Sequence, residues 1–341
     1  MAQQSLAVKY RPMSFNDMTE QSAIKDILEN QIKTKTFQHG YLFTGPAGTG
    51  KTTSARIFAN MINDGKGNPI EVDAASNSGV DNIRQIIEDA KRKPLDAEYK
   101  IFIVDECHSL SDSSWQALLK TLEEPPKFTI FIFCTTDPQK VPATILSRVQ
   151  RYSFQKISNE GIVERLGYII AQEIVYNEDI VYTEDAIDYI AKVSSGGMRD
   201  AITLLDKCLS LSRTLNLENV LKTIGAEDYS TFITFLSALE GNVKVSAVRI
   251  IENVYNAGKD VKQFMKDFAK FVLEVEKYAL YKNFDYISLP NTLENELEQL
   301  IGDSLFDIMD FVVSLNNQIK WENDPKTLIE LEILLYCGKE E

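Results

Sequence analysis

Eight consecutive residues, Gly45-Pro46-Ala47-Gly48-Thr49-Gly50-Lys51-Thr52, fit the pattern G-x-x-x-x-G-K-[ST] and decide the fold. They stand between an apolar β-type run, Tyr41 to Phe43, and a helical pattern that begins near Lys51. A glycine-rich turn in that place lets the backbone wrap closely enough for its N–H groups to point at phosphate oxygens, next to the positive end of the following helix. In this pattern Lys51 reaches the β- and γ-phosphates and the Thr52 hydroxyl ligates Mg²⁺. The bland alternative, a glycine-rich turn without a ligand, is outweighed by the strand before it and the helix after it.

Outward from this loop, short β-rich runs alternate with helical patterns. Gly40 to Phe43, Ile70 to Asp73, Lys100 to Asp105, Thr129 to Cys134 and Arg151 to Phe154 read as strands. Ser22 to Lys33, Thr52 to Met61, Val80 to Lys91 and Ser113 to Leu122 read as helices between them. That alternation predicts a parallel α/β sheet with helices on both faces. The runs IFIV and IFIF are apolar throughout, as central strands covered on both sides must be. Beyond Phe154 strand signals fade and helices are predicted at Asn159 to Gln172, Thr183 to Val193 and Met198 to Ser210. From about residue 226 apolar residues recur at helical spacing, as in Phe232, Phe235, Leu236 and Leu239. The expected organisation is an α/β domain over 1–157, a small helical domain over 158–225 and an all-helical domain over 226–341.

Composition narrows the class. With 341 residues, 44% hydrophobic and 25% charged, the chain can bury more than one core and is not disordered. No apolar run approaches the roughly 18 residues of a membrane span, and no signal-peptide core opens the sequence, so a soluble, cytoplasmic protein is expected. The four cysteines are scattered and only His39 and His108 are present, so neither a zinc site nor a disulfide framework is expected. Residues 1–150 carry 17 basic and 18 acidic side chains, net −1, leaving 19 and 32, net −13, for the remainder. An acidic second half argues against indiscriminate polyanion binding, while a local basic face in the first half stays compatible with a phosphate backbone.

Further polar groups gather in the α/β part. The strand Ile101-Phe102-Ile103-Val104 ends in Asp105-Glu106, about fifty residues after the loop, at the end of the sheet where α/β proteins bind ligands. There Asp105 would hold Mg²⁺, and Glu106 would orient and deprotonate an attacking water. The next strand runs into Thr135-Thr136-Asp137, groups suited to sensing a γ-phosphate. Two arginines lie outside the loop, Arg148 and Arg199, and a guanidinium fork suits phosphoryl charge. Each has an ordinary alternative as a capping or solvated residue.

Taken with Tyr10-Arg11-Pro12, Asp73-Ala74-Ala75-Ser76-Asn77, Leu122-Glu123-Glu124-Pro125-Pro126, Ile145-Leu146-Ser147-Arg148 and Gly197-Met198-Arg199-Asp200-Ala201, these phrases resemble the AAA+ clamp-loader ATPases of the bacterial DNA polymerase III gamma/tau type. The resemblance spans about residues 5–210 and is specific in wording and order; the last block matches only in helical character. It implies an AAA+ module with a helical lid and a C-terminal helical collar. It also implies an ATP-dependent loader that, in a five-subunit ring with other subunits or copies of itself, opens a sliding clamp and places it on primer-template DNA. Residue by residue it implies a nucleotide site at Gly45, Pro46, Ala47, Gly48, Thr49, Gly50, Lys51, Thr52 and Thr53, with Tyr10, Arg11 and Pro12 at the adenine. Thr52 and Asp105 would ligate Mg²⁺, Glu106 would activate water, and Thr136 and Arg199 would be the two sensors. Arg148 would be the finger acting on ATP in the neighbouring subunit, and Arg84 a DNA phosphate contact.

Three departures qualify the resemblance. The family's cysteine module before the DAASN strand is replaced by a short loop over 61–69, so no zinc is expected. The Ser-Arg-Cys motif reads Ser147-Arg148-Val149, which keeps the charge. The chain stops at Glu341, which fits a short form, a phage-encoded relative or a truncated form. Two rivals share part of the pattern. Intact Lys51 and Glu106 weigh against a scaffold that binds ATP without hydrolysing it, and a branch-migration helicase would need a C-terminal winged helix that the acidic last block does not suggest.

Overall fold

The computed structural model describes residues 4–176, 179–224, 228–302 and 304–338, and the chain divides into two compact units, Met1–Asn216 and Leu217–Glu341. The expected boundary at 225/226 lies outside the described residues. The first unit opens with one helical turn, α1 (Leu6–Lys9), and α2 (Ser22–Thr34). It continues through β1 (Gly40–Thr44), α3 (Lys51–Ile62), β2 (Ile70–Asp73), α4 (Val80–Ala90), β3 (Lys100–Asp105), α5 (Asp112–Glu123), β4 (Thr129–Thr135), the short α6 (Ala143–Leu146) and β5 (Gln150–Ser153). The strands form one sheet in the order β2-β3-β4-β1-β5, parallel at every pairing.

Period-two alternation explains how the sheet is covered. Tyr41 and Phe43 of β1, Ile101 and Ile103 of β3, and Ile130 and Ile132 of β4 face α2 and α3, where they pack with Leu28, Ile57 and Phe58. Leu42, Phe102, Val104, Phe131 and Phe133 face the other way, onto Ile83 of α4 and Trp115 and Leu118 of α5. Both faces of the central strands are therefore buried, which is why β3 and β4 carry continuous apolar runs rather than alternating ones. Register fixes where the strands end. Thr44 lies opposite Thr135, and Asp73 opposite Asp105, so the polar residues after the apolar runs emerge along one edge of the sheet.

After the sheet come α7 (Asn159–Tyr176), β6 (Val181–Tyr182), α8 (Glu184–Val193), α9 (Met198–Leu211) and β7 (Thr214–Leu215). The three helices match the predicted ones to within a few residues and bury Ile162, Leu166, Ile190, Ala201 and Leu205. The two short strands, which pair parallel to each other, were not expected. Two residues are too few to show a period, and it is the tertiary packing that brings Val181 beside Thr214.

The second unit is helical over α10 (Leu217–Thr223), α11 (Asp228–Glu240), α12 (Lys244–Asn256), α13 (Val261–Tyr281), α14 (Glu294–Gln299), α15 (Leu305–Ile319) and α16 (Pro325–Tyr336). Phe232, Phe235, Leu236 and Leu239, the residues that suggested α11, are all buried in its core. Aromatic rings from α11 and α13 interlock there, Phe235 and Phe268 with centroids 4.6 Å apart. The segment from 283 to 291 is a packed connection: it holds a 3-10 turn at Phe284–Tyr286 and buries Ile287 and Leu289. Because Phe268 is fully buried among four other phenylalanines, Phe268→Ala is expected to destabilise its unit by about 3–5 kcal/mol, read as a lower urea midpoint at unchanged slope.

Candidate active site

The loop between β1 and α3 wraps because three of its glycines sit at positive φ: Gly45 at 141°, Gly48 at 71° and Gly50 at 97°. At Gly45 a β-carbon would also collide with the carbonyl of Phe154, which follows β5. At Gly48 it would lie 3.1 Å from the Cα of Gly197, so only glycine lets the loop approach the start of α9 this closely. A backbone bond seals the approach, the N–H of Met198 donating to the carbonyl of Gly48 at 3.1 Å.

Lys51 opens α3 and is 7% exposed. Its Nζ donates to the carbonyls of Gly45 at 2.8 Å and Pro46 at 2.6 Å, which holds the ammonium inside the wrap of the loop. Burial lowers its pKa, against the pull of the nearby Asp105 and Glu106 carboxylates. The next residue turns toward the sheet edge: Thr52 Oγ1 donates to Asp105 Oδ2 at 2.7 Å. A hydroxyl and a carboxylate in contact are two hard oxygen donors of the kind Mg²⁺ takes. The residues thus fit the metal that the loop pattern calls for.

Asp105 Oδ1 accepts the backbone N–H of Glu106 at 3.0 Å. Glu106 itself has φ 46°, a left-handed conformation that costs a non-glycine residue about 1–2 kcal/mol and turns the chain sharply at the end of β3. Its Oε2 accepts from Thr136 Oγ1 at 3.3 Å, the contact that brings the end of β4 into the site. His108, in the 3-10 turn that follows, places Nδ1 3.3 Å from the same oxygen and 3.1 Å from Thr135 Oγ1. The sequence had suggested His108 only as too isolated for a metal site; nothing in a linear spacing shows that β4 passes beside it.

These groups border a cleft of about 450 Å³ lined by Ala47 to Thr53, Asp105, Glu106, Arg199 and the strap Tyr10-Arg11-Pro12. Gly45 and Pro46 meet the cleft through Lys51, and Thr136 through Glu106. Two of the expected residues lie apart. Arg148, just after α6, is not among the cleft residues; its guanidinium donates to Glu123 Oε1 at 2.6 Å and to the carbonyl of Thr144 at 2.6 Å. Arg84, on α4, pairs with Asp81 at 3.1 Å on an exposed surface. Among the described residues, no three or more His, Cys, Asp or Glu side chains gather as a metal site, and no helix is long and apolar enough to cross a membrane.

A second polar cluster was missed altogether. Glu173 of α7 is 5% exposed, and its Oε1 accepts from Lys9 Nζ and from the Tyr10 hydroxyl, both at 2.6 Å. Burial alone would raise its pKa; the bonds from Lys9 and Tyr10, with the positive charges of Lys9 and Arg213, outweigh that and hold it below the usual carboxylate range. Burial pushes the Tyr10 phenol up to about 12, helped by its bond to Glu173.

Residues 70–158 match the family model "DNA polymerase III, delta subunit", and residues 162–214 match "DNA polymerase III clamp loader subunit, ATPase lid domain". The chain is 34% identical to the DNA polymerase III subunit tau of Bacillus subtilis over 99% of its own length and 64% of the relative's. It is 35% identical to the gamma/tau subunit of Mycoplasma genitalium over 82% of its own length and 50% of the relative's. The chain therefore spans less than two thirds of either. Among solved structures, the RuvB Holliday junction branch migration motor of Thermotoga maritima superposes with a TM-score of 0.51 over 67% of this chain and 79% of its own, at 21% identity, a likeness of fold.

The close approach at Gly48 gives a direct test. A side chain there must take a left-handed φ and press on Gly197, so Gly48→Ala is expected to weaken Mg²⁺–nucleotide binding by about tenfold or more, measured by calorimetry. An unchanged affinity would mean that the approach of loop and lid is immaterial to the ligand.

Proposed function

We propose that the chain, which is similar to the DNA polymerase III gamma/tau subunits and matches a clamp-loader ATPase lid domain over residues 162–214, binds ATP with Mg²⁺ in the cleft and hydrolyses it as a subunit of a sliding-clamp loader. The observation that carries the reading is the convergence on one cleft of the wrapped loop, the Thr52–Asp105 pair, Glu106 and Arg199. Fold likeness to RuvB alone would fit many nucleotide-driven machines.

In this reading the N–H groups of the loop and Lys51 take the β- and γ-phosphates, exchanging the carbonyls of Gly45 and Pro46 for phosphate oxygens. Thr52 and Asp105 would hold Mg²⁺, which would supply positive charge against the phosphates. Glu106, steadied by Thr136 and His108, orients the attacking water and takes its proton. Arg199 stands at the start of α9 beside the loop, where it senses the phosphates from the lid. Tyr10, Arg11 and Pro12 border the same cleft as Lys51 and in this reading face the base.

Arg148 completes the site of a neighbour. Its place outside its own cleft supports action in trans, and its bridge to Glu123, with side chains 32% and 49% exposed, is a surface pair worth at most about 1 kcal/mol, cheap to exchange for a phosphate. Such a finger requires assembly, in a pentameric ring of clamp-loader subunits or of copies of this chain. Domains of 1–157, 158–225 and 226–341 would act as motor, lid and collar, with the clamp and primer-template DNA as further partners, Arg84 as a phosphate contact, and the bacterial cytoplasm, or that of a phage's host, as the place of work. No role is proposed for zinc.

The test is ATP hydrolysis by the full chain with partner subunits, clamp and primed DNA supplied together. Stimulated turnover that Glu106→Gln abolishes is the expected result; nucleotide binding without any turnover would instead make the chain a scaffold. Arg148→Ala is expected to keep its own nucleotide affinity while the assembly loses turnover by up to roughly 10³–10⁵-fold, and a loss of affinity instead would place the arginine in its own site.

A further inference from the structure

The strap Leu6–Pro12 is too short to hold itself. Its one helical turn, α1, has no stability of its own in water, so its shape comes from what it touches. Those contacts belong to the lid helices. The N–H of Leu6 donates to Asp206 Oδ2 of α9 at 3.1 Å, and Arg165 Nη2 of α7 donates to the carbonyl of Tyr10 at 2.8 Å. Lys9 and Tyr10 converge on Glu173 of α7, and Leu6 is buried. Among the described residues, Phe15 and Met18 are the first to join the core of the sheet, beside α2 and α3. The strap's cleft-facing residues thus hang from the lid and not from the sheet.

Glu173 is the hinge pin of that arrangement. A carboxylate this buried is costly unless its charge is matched, and two donors that match it, Lys9 and Tyr10, come from the strap. We propose that Glu173 is a positioning residue for nucleotide: by gathering Lys9 and Tyr10 it makes the strap part of the lid, so that the base end of the cleft and the lid's phosphate-side residue Arg199 engage or release a nucleotide as one body. Glu173 does not line the cleft; it acts through Tyr10 and, by the neighbouring carbonyl bond, with Arg165. The proposal rests on the reading of the cleft as a nucleotide site and adds to it how the lid gains a hold on the base.

Two ligands separate base from phosphate. The full chain and Glu173→Gln, which keeps the side chain's size and removes its charge, are titrated by calorimetry with Mg²⁺–ATP and with Mg²⁺–tripolyphosphate. The expected result is an affinity for ATP about tenfold weaker, a loss of ~1.4 kcal/mol, with the affinity for tripolyphosphate unchanged. Equal weakening of both ligands would show damage to the whole cleft, and no weakening of ATP would show a merely structural ion pair; either overturns the proposal. Tyr10→Phe, which removes one hydroxyl, carries the same comparison should Glu173→Gln not fold, and the double variant is expected to lose no more than the larger single one. Failure of the underlying reading looks different: wild type would bind neither ligand, or Lys51→Ala would leave both affinities untouched.

Discussion

The site depends on β1, β3 and β4 running side by side in one direction and ending level. That constraint places the loop after Thr44, the carboxylate of Asp105 and the hydroxyls of Thr135 and Thr136 along a single edge, although nearly a hundred residues separate the first from the last. Burial on both faces enforces it. A shift of register by one residue would turn Phe102 and Phe131 from one core into the other and leave their places empty. The 2.7 Å bond from Thr52 to Asp105 is the local expression of this alignment, joining the first turn of α3 to the end of β3.

On that frame the energetics favour exchange over permanence. Lys51 is buried but holds only loop carbonyls, Glu106 sits in a strained backbone conformation and Arg148 is engaged in a weak exposed bridge. Each can trade its partner for phosphate, water or a neighbour's ligand at small cost. Glu173, by contrast, is held by two short bonds in a buried place and is built to stay.

Much of this was legible in the sequence, and the reason is local. The loop, the DE pair after IFIV and the helices with apolar stripes are written in consecutive residues, so strand and helix positions fell within a few residues of those observed, and the residues expected at the loop, at Asp105 and Glu106 and at Arg199 meet at one cleft. What escaped was non-local. The β6–β7 pair is two residues long on each side; His108 gains its neighbours from β4; Glu173 lies more than 160 residues from Lys9 and Tyr10. No spacing rule reaches across such gaps, and a single buried glutamate in a helix reads as one more charged residue.

The central claim is that the cleft between the wrapped loop and the lid is a nucleoside triphosphate site with Lys51 at its phosphate end. Equilibrium titration of the full chain alone with Mg²⁺–ATP, beside Lys51→Ala, tests it most directly. One binding event per chain that Lys51→Ala abolishes is the predicted result; no binding by the wild type, or binding indifferent to Lys51, would contradict it.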